Sequence, residues 1–168
     1  MLTHVFSTLW STNTFAISPT IIRKFYALWE NLADSAGSCV DSMAYIQSVP
    51  PCPSRSNPNS LGLPLNTRPE SDFVLFQTTF SYMDPNLTQA LEQKMKEFAR
   101  DVDAAAESEG VFVDWKYGNY AAGLEDVYGD AEVKERLRSV SRRYDPEGMM
   151  QRLVVGGWKL FERGDAKE

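Results

Sequence analysis

Hydrophobic positions recur along this chain with two alternating periods, close to two and close to 3.6 residues. Leu2 to Trp10 mixes polar and apolar residues with β-branched and aromatic members, and predicts a strand. Ser18-Pro19 supplies an N-cap followed by proline at the first helical position. Ile22, Phe25, Trp29 and Leu32 follow at spacings of three and four, so one face of that helix is apolar until Gly37 ends it. A second strand is predicted from Cys39 to Val49 and a third from Asp72 to Ser81. Between them lies a long proline-rich loop through Pro50-Pro51-Cys52-Pro53 and Asn59 to Leu63, of a length often tied to function. Asp84-Pro85 repeats the cap-and-proline signal, and Leu87, Leu91, Met95, Phe98 and Val102 mark a second helix ending near Gly110. Val111 to Trp115 predicts a short fourth strand.

The order β-α-β-β-α-β predicts an α+β, ferredoxin-like antiparallel sheet with both helices on one face. Residues 1–115 form that sandwich, and residues 116–168 form a helical C-terminal tail packed on it as a single compact unit. The tail holds a charged helix from Ala131 to Arg143, with Val133, Leu137 and Val140 along one side. The other sheet face is predicted to be open, so a ligand, a second domain or another copy of the chain must use it.

Composition narrows the function. A chain that is 43% hydrophobic and 12% aromatic can bury a core. Its net charge of -6 gives no electrostatic footprint for nucleic acid or for an anionic membrane. No apolar run approaches the roughly 20 residues a bilayer span needs, and no basic segment opens the chain as in a signal peptide. These features imply a cytoplasmic protein, in which Cys39 and Cys52 are expected as separate thiols, the alternative being a single disulfide. One histidine and two cysteines exclude a zinc site of the usual kind, and no metal is expected.

The tail is the most specific part of the sequence. It reads Tyr117-Gly118-Asn119-Tyr120-Ala121-Ala122, then Tyr128-Gly129, Arg136-Leu137, Tyr144-Asp145-Pro146-Glu147-Gly148-Met149 and Gly156-Gly157-Trp158-Lys159-Leu160. In this order and spacing it resembles the C-terminal end of berberine-bridge-enzyme-like FAD-linked oxidoreductases, of the vanillyl-alcohol-oxidase type. Asn59-Ser60-Leu61-Gly62-Leu63 is similar to a loop of the fungal members, with Asn57-Pro58 where glycines are usual. The resemblance covers nearly all of this chain and the last third of a typical family enzyme. It implies that the N-terminal FAD-binding domain is missing, and no glycine-rich segment here follows a strand and opens a helix to cradle a pyrophosphate. No cofactor is therefore expected, with FAD bound only if another chain supplies the missing domain.

The resemblance implies that Tyr120 lies beside the substrate as a candidate base, with Asn119 and Tyr117 close by; the competing reading is a buried tyrosine tying tail to sheet. An unperturbed tyrosine has a pKa near ~10 and needs help to act near neutral pH. Ala122 stands where the motif's aspartate is expected, which weakens the ancestral mechanism. Strand alternation adds Asp41, Met43, Tyr45 and Gln47, then Gln77 and Thr79, then His4, Phe6, Thr8 and Trp10. On one face these would line an aromatic pocket with a few polar groups, suited to a small organic ligand or to a partner chain. Tyr120, Gln77 and Tyr45 are the candidate catalytic groups. Three functions follow as expectations: a flavin-free tailoring enzyme of specialised metabolism, most concretely a ring-forming cyclase or isomerase of the Diels–Alder type; a truncated or split FAD-linked oxidoreductase; or a non-catalytic module. A small-molecule substrate and a homodimer are the expected partners.

Overall fold

A computed structural model describes residues 6–49, 72–121, 125–128, 131–154 and 157–161. The chain runs β1 (Ser7–Ala16), α1 (Pro19–Ala36), β2 (Val40–Val49), β3 (Phe73–Tyr82), α2 (Thr88–Ser108), α3 (Ala131–Tyr144) and α4 (Met149–Leu153). Short 3-10 turns cover Pro85–Leu87 and Gly118–Tyr120. The three strands form one antiparallel sheet in the order β1-β3-β2. The fold is α+β, as expected. Among the described residues no helix is long and apolar enough to cross a membrane, and no group of acidic, histidine or cysteine side chains could hold a metal ion. Cys39 is an exposed free thiol, and Cys52 lies outside the described residues.

The helix boundaries follow their caps. Ser18 is extended, and its hydroxyl accepts from the Ile21 N–H while Pro19 opens α1. Gly37 ends that helix at a φ of 87°, which a side chain rarely tolerates. Asp84 caps the turn before α2 by accepting from the Asn86 N–H. Alternation along the strands then sorts the sheet into two faces. Leu9, Phe15, Val74, Phe76 and Phe80 face the helices. They meet Ile21, Phe25 and Leu32 of α1 and Leu91, Met95, Phe98 and Val102 of α2. Phe76 sits at the centre, 3.8 Å from the Phe25 ring centroid and 5.1 Å from that of Phe15.

Two details differ from the sequence-based expectation. Strand β1 begins and ends later than Leu2 to Trp10, because Ser11, Thr12, Asn13 and Thr14 are buried within it despite their polarity. Asn13 is accommodated by donating to the Ala99 carbonyl at 3.0 Å and to Asp103 Oδ1 at 2.8 Å. The predicted fourth strand shrinks to a single antiparallel bridge between Phe112 and Phe15. It sits beside β1, the place a fourth strand holds in a ferredoxin-like sheet. Ala16 N–H donates to the Val111 carbonyl and Val113 N–H to the Thr14 carbonyl; the Trp115 N–H then turns back to Val113, which ends the pairing.

Phe76→Ala would leave a cavity against the Phe15, Phe25 and Tyr26 rings. We expect it to lower folding stability by about 3–5 kcal/mol in chemical denaturation. A loss below about 1 kcal/mol would remove Phe76 from the centre of the core.

Candidate functional site: a sheet face and a cleft either side of β1

The pairing register fixes which candidate residues share a face. Thr12, Gln77 and Tyr45 are direct cross-strand neighbours, as are Trp10, Thr79 and Met43 in the next row. Thr8, Ser81 and Asp41 form a third row, and Thr14, Leu75 and Gln47 a fourth. The proposed grouping of Asp41, Met43, Tyr45, Gln47, Gln77 and Thr79 with Thr8 and Trp10 therefore falls on one face, opposite the helices. His4 lies outside the described residues. Phe6 precedes β1 and is exposed.

That face is not open along its whole width. Gln77 and Thr79 on the central strand are only 7% and 3% exposed, whereas Met43 and Tyr45 on β2 are each 45% exposed. Gln77 Nε2 donates to Gln47 Oε1 at 3.1 Å, and the Tyr45 hydroxyl donates to Met43 Sδ at 2.9 Å. The tail covers the β1 side. The Tyr117 N–H donates to Thr12 Oγ1 at 3.0 Å, and the Tyr120 ring stacks on Trp10 with centroids 5.0 Å apart. Tyr117 packs edge-on against Tyr120 and takes a hydrogen bond from Asn119 Nδ2 on its hydroxyl. Aromatic tail and exposed β2 thus flank a polar central row.

A second concavity, which sequence reasoning missed, opens on the helix side of β1. This cleft of about 460 Å³ lies between α2 and the residues that follow Phe112. Its polar end is built from Asp103, Lys116 and Glu125. Lys116 Nζ pairs with Asp103 Oδ2 at 2.7 Å, and Asp103 also holds Asn13. Glu125 Oε1 accepts from Ser11 Oγ at 2.6 Å and from the Thr12 N–H at 3.2 Å, an edge-strand donor that β3 cannot reach. Its other oxygen, Oε2, is buried with no hydrogen-bond partner. Burial pushes the Glu125 carboxyl above its ordinary pKa, against the lowering effects of Ser11, Lys116 and the Thr12 N–H. No local pattern announces Glu125: its partners are 114 and 113 residues away in sequence.

The pyrophosphate of FAD needs a run of free backbone N–H groups at a helix start. Among the described residues, Gly37 and Gly110 follow helices instead of preceding them. Gly148 does precede α4, but the Asp145 carboxylate already takes the Met149 and Met150 N–H groups, at 2.7 and 2.9 Å. Gly148 therefore offers no such run of free N–H groups.

No protein-family signature matches the chain, and no solved structure matches it. Among curated proteins, it is similar to an FAD-dependent monooxygenase of Emericella nidulans, 40% identical over 80 residues, 46% of this chain and 16% of that relative. It is 43% identical to an FAD-dependent monooxygenase of Fusarium proliferatum over 60 residues, 34% of this chain and 11% of the relative. A third, from Aspergillus calidoustus, is 34% identical over 77 residues, 44% of this chain and 13% of the relative. The matched stretch thus spans between 11% and 16% of the length of these proteins. The chain is similar to a segment of fungal FAD-dependent monooxygenases.

The raised carboxyl of Glu125 sets a pH dependence. In the unfolded chain it ionises around its ordinary 4.5; in the folded chain burial delays ionisation to higher pH. Rising pH between those two values favours the unfolded state, because only there is the charge fully hydrated. Glu125→Gln keeps an acceptor for Ser11 and Thr12 and removes the titration. Its melting temperature should climb relative to the parent between about pH 4 and pH 8. A constant gap across that range would mean that Glu125 ionises as it does in the unfolded chain.

Proposed function

We propose that this chain forms the substrate-binding part of a fungal FAD-linked oxidoreductase that tailors specialised metabolites. In this reading the flavin is held by residues other than those described above. One observation carries it: the register and the tail together set Tyr45, Gln77 and Tyr120 around one sheet face, in a chain similar to FAD-dependent monooxygenases. Such a face suits a flat, partly oxygenated organic molecule. Aromatic rings supply area at low entropic cost, and a few fixed polar groups set orientation. The substrate lies against the exposed β2 side, at Met43, Tyr45 and Gln47, with Gln77 behind them. The residues' own tasks are to bind, orient and hold water away from the reacting carbons. The berberine-bridge-type resemblance of the tail, with Tyr117, Asn119 and Tyr120 next to the substrate, supports the same placement.

A second reading is favoured by one feature of the sequence. Ala122 stands where the resembling motif carries an aspartate, which weakens the ancestral mechanism for this chain. A face that binds and folds a reactive polyene needs no electron acceptor to close a ring. It needs positioning, and donors such as the Tyr120 and Tyr45 hydroxyls or the Gln77 amide placed on a polarised carbonyl. The chain is then a flavin-free cyclase or isomerase.

A planar probe, 1,8-dihydroxyanthraquinone, tests the shared premise by quenching tryptophan fluorescence. We expect saturable binding, weakened about tenfold or more in Tyr45→Ala and in Tyr120→Ala. Glu107→Gln, on the helix side, should leave it unchanged. Absence of saturation, or equal affinity in all variants, would take the substrate away from this face. Ring closure of a pathway polyene by the colourless chain would select the second reading over the first.

A further inference from the structure

We propose that the cleft between α2 and the tail is a second binding site, separate from the sheet face, for a small organic amine: an apolar body carrying one ammonium group. The argument begins with charge. The polar end of the cleft holds two carboxylates, Asp103 and Glu125, and one ammonium, Lys116. Lys116 is committed to Asp103, and both are largely shielded, with side chains 11% and 23% exposed. One carboxylate therefore remains in excess inside the fold. An unpaired buried charge is costly, and the protein meets it only halfway: Glu125 Oε1 has two donors and Oε2 has none.

The other charged groups around the cleft do not supply the missing cation. Asp126 is held by Lys134 at 2.6 Å and is itself acidic. Arg100 reaches out of α2 to its neighbour Asp101, with its side chain 74% exposed. Lys96 and Glu107 lie on the exposed surface of the same helix, where water screens them. A ligand ammonium can. It brings the missing charge together with hydrogen-bond donors, to a carboxylate whose second oxygen has none.

The rest of the cleft fits an apolar body. Met95, Ala99, Ala104 and Phe112 contribute to its walls, and Trp10 closes the β1 side. A volume of about 460 Å³ is within the usual range for small-molecule sites. The elevated carboxyl of Glu125 is in keeping with the same deficit, since burial raises it by more than Ser11, Lys116 and the Thr12 N–H lower it.

The probe is 2-phenylethylamine, titrated into the full chain by calorimetry, with 2-phenylethanol as its uncharged twin. At about pH 8 the amine should bind saturably and the alcohol about tenfold or more weaker, since only the amine forms a charge-assisted bond. Affinity for the amine should fall as the pH drops through the Glu125 titration, while the ligand remains protonated. Glu125→Gln should weaken binding by a similar factor. Ala104→Leu, on the exposed face of α2, narrows the cleft without touching the core and should also weaken it. Tyr45→Ala, on the sheet face, should have no effect, which keeps this site apart from the proposed substrate face. Equal binding of amine and alcohol, no saturation, or unaltered affinity in either cleft variant would overturn the proposal.

Discussion

The outer edge of β1 is the constraint on which the rest of the molecule depends. Strand β3 pairs along one side of β1 and leaves the N–H and C=O groups of the other side without strand partners. Inside a fold such groups must find partners, or each costs about as much as a lost hydrogen bond. Three pieces of the chain after α2 supply them in turn. Val111 and Val113 pair with Ala16 and Thr14, and the Glu125 carboxylate takes the Thr12 N–H. Because a side chain takes over where the short bridge stops, the backbone is free to leave the sheet plane after Val113. That departure carries Tyr117 and Tyr120 onto the sheet face above Thr12 and Trp10, and brings Glu125 back beneath it at Ser11. The tail wraps the edge, and the aromatic wall on one side and the cleft on the other are both consequences of that wrapping.

Polar contacts fasten much of the wrap. Helix α3 has no buried residue, and Tyr144, Met150 and Leu153 remain exposed. What fastens the segment is a chain of hydrogen bonds through Glu125. Its side chain holds Ser11 and Thr12, and its carbonyl takes the Trp158 indole N–H at 2.9 Å. Tyr128 gives its hydroxyl to the Trp158 carbonyl at 2.8 Å, and Arg138 donates to the Leu160 carbonyl at 2.7 Å. Hydrogen bonds of this kind each contribute modestly, and their loss is felt most where the partner left behind is buried. Glu125 is such a partner, so the docking of the tail and the ionisation of one carboxyl are linked.

Much of the framework was legible in the sequence, for identifiable physical reasons. Ser18-Pro19 and Asp84-Pro85 are local signals, and both mark the turns they announce. The apolar spacing from Ile22 to Leu32 and from Leu91 to Val102 names helix faces that do pack into the core. Strand alternation grouped Asp41, Met43, Tyr45 and Gln47 with Gln77 and Thr79, because a period of two leaves only two faces to choose from. The failures are equally physical. Ser11 to Thr14 is polar, and nothing local reveals that its members are buried, with Ser11, Thr12 and Asn13 partnered by α2 and the tail. The shortening of the fourth strand depends on where the backbone turns at Trp115. Glu125 was invisible because its role is defined by contacts across more than a hundred residues.

Trp10 joins the two halves of this arrangement. Its ring stacks beneath Tyr120 on the sheet face, while its residue also lines the cleft beside Ser11. Any shift of the tail that loosens the Tyr120 stack must alter the mouth of the cleft, because the same few residues of β1 border both. The converse also holds. A cation seated at Glu125 would bear on the same carboxyl that holds Ser11 and Thr12, and so on the segment that places Tyr117 and Tyr120 over the sheet. Reciprocity of this kind needs no moving domain. It needs only that one segment touches both sites and has a docked and an undocked state whose balance each ligand biases. The edge of β1 supplies that segment with its anchor, and a single buried carboxyl sets how firmly it holds.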